Sequence, residues 1–128
     1  MMKGYLDTGT GSRPQGTPST VTVSGLSAGT YNIYVYVDGN NSASMRTGIY
    51  QLSGSGITTT SVALIDAANA NFSGIFTQAN SSNGNYVLFA NIVVTNGFTL
   101  TATPGQSGDI YLRAPVNGIQ IVPATQTP

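Results

Sequence analysis

Residues 30–38 read TYNIYVYVD, and this stretch decides the fold. Tyr31, Ile33, Val35 and Val37 fall on one side of a period-two alternation, with Asn32, Tyr34, Tyr36 and Asp38 on the other. Successive side chains of an extended strand point to opposite faces, so the aliphatic set marks a core face and turns Tyr34 and Tyr36 outward. No window of ten residues holds a convincing 3.6-residue period, which predicts an all-β domain.

The pattern continues on both sides. Residues 19–26 place Val21 and Val23 against Thr20, Thr22 and Ser24, with the turn Ser27-Ala28-Gly29 between the two strands. Asp38-Gly39-Asn40-Asn41 has turn chemistry, because these residues tolerate positive φ or cap their own backbone, and it predicts a hairpin that returns along residues 43–52. Further strands are expected over 57–65, 72–78, 86–94, 98–103, 110–113 and 118–122, while DAANAN at 66–71 fits a loop better than a helical turn. Short strands with turn residues between them predict one antiparallel β-sandwich or jelly roll, a single domain over residues 1–128. Residues 8–18 and the tail PATQTP at 123–128 read as linker.

Composition removes several functions. Four Lys+Arg balance four acids, and Lys3, Arg13, Arg46 and Arg113 are scattered, so neither nucleic acid nor an acidic membrane finds a cationic cluster. The chain has no His, Cys or Glu, which excludes an imidazole base, a thiolate nucleophile and a disulfide framework. The start MMKGYLDT lacks the apolar segment of an export signal, and no apolar run nears the roughly 18 residues of a membrane span. Low charge with 17 Thr, 13 Ser and 11 Asn is common in bacterial extracellular β-domains, a compositional argument for an extracellular location.

The acids are Asp7, Asp38, Asp66 and Asp109. A glycosidase would need a pair of them, one protonated and one ionised. Asp38 and Asp109 sit in turns and Asp66 precedes an Asn-rich loop, where aspartate serves backbone geometry. The chain is therefore not expected to be an enzyme. Hard oxygen donors suit calcium instead, and the candidate ligands are Asp38 with Asn40 and Asn41, Asp66 with Asn69 and Asn71, and Asp7. No EF-hand spacing occurs, and each cluster also reads as a solvated turn.

Seven Tyr and no Trp are the informative feature. Tyr34 and Tyr36 stand roughly 6.6–6.8 Å apart along their strand, a separation of the order of a sugar ring. An aromatic face stacks on the C–H face of a pyranose, and amides or hydroxyls such as Asn32 catch its rim without any charge. On the return strand Met45 and Ile49 are expected in the core, leaving Arg46 and Tyr50 exposed beside Tyr34 and Tyr36. Ile110 and Leu112 likewise turn Tyr111 and Arg113 outward, and VNGIQIV at 116–122 is expected to close the core with Gln120 on the exposed side. The competing reading is that these tyrosines only pack across strands, in an Ig-like or adhesin spacer.

GYLDTG at 4–9, VTVSGLSAGTYNIYVYVDGN at 21–40, GNYVLF at 84–89, FTLTATP at 98–104 and RAPVNGIQIV at 113–122 carry a resemblance. Together they resemble the galactose-binding-like β-sandwich modules of secreted bacterial polysaccharide-degrading enzymes, most of all carbohydrate-binding module family 81 of endoglucanases. The resemblance implies a non-catalytic module that holds its covalently linked catalytic domain on β-1,4-linked glucans such as cellulose and xyloglucan, with mixed-linkage glucans a further target. A structural calcium is frequent in such modules.

Overall fold

A computed structural model describes residues 4–6, 17–38, 45–68, 71–105 and 113–125. Eight strands are present: β1 (Ser19–Val23), β2 (Gly29–Tyr36), β3 (Arg46–Gly54), β4 (Ile57–Asp66), β5 (Ser82–Asn83), β6 (Tyr86–Val94), β7 (Phe98–Pro104) and β8 (Gly118–Pro123). They form a five-stranded sheet ordered β1-β7-β3-β4-β5 and a three-stranded sheet ordered β6-β2-β8. All pairs are antiparallel except β4 with β5, and the protein is an all-β sandwich. No helix among the described residues is long and apolar enough to cross a membrane.

Alternation builds the core. Ile33, Val35 and Val37 of the β2 side meet Val87 and Phe89 of β6, and Leu52, Leu64, Leu100 and Ala102 face them from the larger sheet. The threonines of β1 and β7 pair on the far side of that sheet, Thr20 opposite Thr101 and Thr22 opposite Thr99. Each buried large aliphatic or aromatic side chain stabilises the fold by about 1.5–3 kcal/mol relative to exposure.

Five expectations are corrected here. The expected hairpin between residues 30–38 and 43–52 does not form: β2 pairs with β6 and β8, whereas β3 pairs with β4 and β7 in the other sheet. The phase of β3 is also inverted, since Tyr50 is 0 % exposed in the core and Ile49 is 40 % exposed. Gly48 permits the inversion, because a Cβ there would meet the Tyr50 ring at 2.6 Å, so the missing side chain makes room for that ring. The Tyr50 hydroxyl donates to the Pro115 carbonyl at 2.8 Å and loses no hydrogen bonding on burial. Finally, residues 72–78 form no strand beyond a bridge of Gln78 to Tyr86, and Arg113 lies outside any strand. Residues 110–112 lie outside the described residues, and Pro123, expected to open the tail, ends β8.

Candidate functional site

The outer face of the three-stranded sheet gathers the aromatic residues. On β2, Tyr36 stands opposite Tyr86 of β6 and Gly118 of β8, and Tyr34 stands opposite Leu88 and Gln120. Their neighbours Ile33, Val35 and Val37 fill the core, so parity leaves Asn32, Tyr34 and Tyr36 half-buried on the solvent side. Ring centroids lie 6.1 Å apart for Tyr34 and Tyr86, and 5.9 Å for Tyr36 and Tyr86. The strip then leaves the sheet, with Phe76 5.3 Å from Tyr36 and Phe72 4.9 Å from Phe76. All four separations fall within the range of favourable aromatic pairs.

Polar groups line the β8 side of this strip. The Tyr36 hydroxyl donates to Gln120 Oε1 at 2.8 Å, and burial, then the Tyr34 and Tyr86 phenols, pushes its ionisation above the ordinary tyrosine range. Tyr36 therefore stays a neutral donor. Asn32 Oδ1 accepts the Asn91 N–H at 2.9 Å. Asn91 has φ 56° beside the register shift between β2 and β6, so this bond satisfies an amide that a bulge takes out of the ladder. With both side-chain oxygens engaged, the amide N–H groups of Gln120 and Asn32 are the parts left to meet a ligand.

The expected site divides. Asn32, Tyr34, Tyr36 and Gln120 come together as the strand parity predicts. Tyr50 does not join them, being sealed between the sheets, and Arg46 shares its inward phase on β3, half-buried opposite Asp66 of β4. Arg113 is half-buried ahead of β8, and Tyr111 lies outside the described residues. Tyr86, Phe76 and Phe72 were not among the expected residues. In GNYVLF Val87, Leu88 and Phe89 put apolar residues on both phases, so the sequence leaves the direction of Tyr86 open, and it is the burial of Val87 and Phe89 that sets the outward phase of Tyr86. Nothing comparable marks Phe72 or Phe76, because their segment is irregular.

Of the expected metal ligands, Asp38 and Asp66 are buried and line one cavity of about 310 Å³ together with Asn71, Asn83 and Asn85. Asn40 and Asn69 lie outside the described residues. Burial pushes the Asp38 carboxyl above the ordinary carboxylate range, and the Phe72 backbone amide, donating to it, pulls it partly back. Asn117 holds the Asp38 backbone from both sides, its Oδ1 accepting the Asp38 N–H at 2.6 Å and its Nδ2 donating to the Asp38 carbonyl at 3.1 Å. Two carboxylates are hard oxygen donors of the kind calcium takes, but among the described residues no group of three or more Asp, Glu, His or Cys gathers that could hold a metal ion, and the Asn85 side-chain oxygen already accepts the Thr77 N–H.

Compared with protein-family models, curated proteins and solved structures, the chain matches none.

Proposed function

We propose that this protein is a non-catalytic carbohydrate-binding module that docks single β-1,4-linked glucan chains on the outer face of its three-stranded sheet. The observation that carries the reading is the contiguous, uncharged strip of Tyr34, Tyr86, Tyr36, Phe76 and Phe72, flanked by amide donors. Such rings stack on the C–H faces of pyranoses, and Gln120 and Asn32 donate to hydroxyl oxygens at the rim. Successive rings are inclined by 42–69°, so the strip is stepped. A single chain rotates about its glycosidic bonds to follow such steps, whereas a flat crystalline face does not. The resemblance to family 81 supports the same reading, and with it a secreted bacterial endoglucanase as the parent protein.

Native electrophoresis in gels containing xyloglucan or barley β-glucan tests the proposal. Retarded migration is expected in at least one. Unchanged mobility in both, with no pull-down on cellulose, would favour a structural spacer whose tyrosines only pack, and release of reducing ends would make the chain a glycosidase.

Calcium held by Asp38 and Asp66 belongs to the same proposal. At a hundredfold excess over its dissociation constant it is expected to stabilise the fold by about 2.7 kcal/mol, a gain that a chelator reverses. Asp38→Asn is expected to abolish that response and to stabilise the metal-free protein at neutral pH, because it removes a charge that burial disfavours. Equal calcium shifts in thermal melts of parent and variant would contradict the assignment.

A further inference from the structure

The segment from Phe72 to Thr77 is irregular yet tightly held. Asn85, in the turn ahead of β6, spans it with its side-chain amide: Oδ1 accepts the Thr77 N–H at 2.8 Å and Nδ2 donates to the Ile75 carbonyl at 2.8 Å. The Asn85 backbone N–H donates to the Thr77 carbonyl at 2.9 Å, and the Ala79 N–H donates to the Tyr86 carbonyl at 2.8 Å. Gly84 lets the segment approach, since a Cβ there would meet the Thr77 oxygen at 2.6 Å. Its other end is fixed by the Phe72 amide on the Asp38 carboxylate. Between these anchors Phe76 remains 49 % exposed while its ring packs edge-on against Tyr36. An apolar ring held in place on both sides but left open to water is poised for a ligand rather than for the core.

We infer that Phe76, backed by Phe72, forms a second subsite that continues the sheet platform toward longer β-glucan chains, and that Asn85 is the positioning residue that holds it in line with Tyr36. This inference rests on the glucan-binding reading above. Asparagine suits the position because one planar amide supplies the acceptor for Thr77 and the donor for Ile75 together. Aspartate keeps the acceptor and turns a second oxygen toward the Ile75 carbonyl.

The test is calorimetric titration with cellotriose through cellohexaose, using the whole protein and variants whose melting curves are checked first. In the parent, affinity is expected to climb with chain length. Phe76→Ala is expected to lower affinity for cellohexaose roughly tenfold, a loss of the order seen for one aromatic stack, and that for cellotriose by less than about twofold. Asn85→Asp is expected to lower cellohexaose affinity roughly three- to tenfold in the parent, and to have no further effect in the Phe76→Ala background, as coupling through one shared ring requires. If Tyr36→Ala weakens binding while Phe76→Ala leaves the cellohexaose affinity unchanged, the second subsite is wrong and the sheet platform stands. If none of the three substitutions matters, the glucan reading falls as well. An Asn85→Asp loss that persists undiminished without Phe76 would overturn the positioning role.

Discussion

Tyr50→Ala is expected to cost about 3–5 kcal/mol of folding stability, the range for removing a large buried aromatic side chain. Tyr50 is among the largest fully buried side chains, lies over Gly48, and joins β3 to the segment before β8 through the Pro115 carbonyl. It therefore ties the five-stranded sheet to the strand that edges the other sheet. Tyr50→Phe separates the two parts of that loss: the ring stays, the carbonyl loses its donor, and the expected cost is about 1–3 kcal/mol. Urea unfolding followed by far-UV circular dichroism measures both. Glucan binding by Tyr50→Phe is expected to match that of the parent, since the ring faces away from the aromatic strip. A stable Tyr50→Phe variant with weakened binding would return Tyr50 to the surface that its sequence context suggests.

Alanine at Tyr36 is expected to have the largest effect on binding. Aromatic platforms lose about 1–3 kcal/mol per stacked ring on substitution by alanine, which is roughly 5- to 150-fold in affinity. Tyr36 should sit toward the upper end, because its ring touches both Tyr86 and Phe76 and its hydroxyl orients Gln120. Tyr34 contacts Tyr86 and ends the strip, so Tyr34→Ala is expected to cost less. The double variant is expected to fall short of the sum, since both rings share Tyr86 as a neighbour. Equilibrium titration with xyloglucan oligosaccharides checks this ordering. A larger loss at Tyr34 than at Tyr36 would mean that the ligand runs off the sheet in the other direction, toward Asn32.

Why some of this was legible and some was not comes down to local contrast. From Tyr31 to Asp38 every inward position is aliphatic or Tyr31 and every outward one is Asn, Tyr or Asp, so the phase admits one solution. In β3 apolar residues occur on both phases, Met45 and Ile49 on one, Tyr50 and Leu52 on the other. The deciding contact is a carbonyl 65 positions away, which periodicity cannot see. The turn DGNN is equally blind to destination: its chemistry marks a change of direction, and tertiary packing decides whether the next strand pairs beside the last or crosses to the other sheet. That single choice moved Arg46 and Tyr50 away from the tyrosine face. The same blindness applies to the cavity, where Asp38 just beyond β2 and Asp66 at the end of β4 converge although they belong to different sheets.

Phe72 and Phe76 escaped for a further reason. The segment from 72 to 78 has the composition of a strand, but its hydrogen bonds go to the side chain and backbone of Asn85 instead of to a ladder. Side-chain capping of an irregular segment leaves no periodic trace. Tyr86 was left open for the reason that left β3 open, because Leu88 shares its phase while Val87 and Phe89 take the other.

A glucan chain lying on the outer face of the β6-β2-β8 sheet is open to NMR titration of isotopically labelled protein with cellohexaose. Shifts are expected to concentrate on Asn32, Tyr34, Tyr36, Tyr86 and Gln120 and to continue to Phe76, with the threonines of β1 and β7 undisturbed. Shifts centred on Thr20, Thr99 and Thr101 of the opposite sheet, or none at saturating sugar, would contradict it.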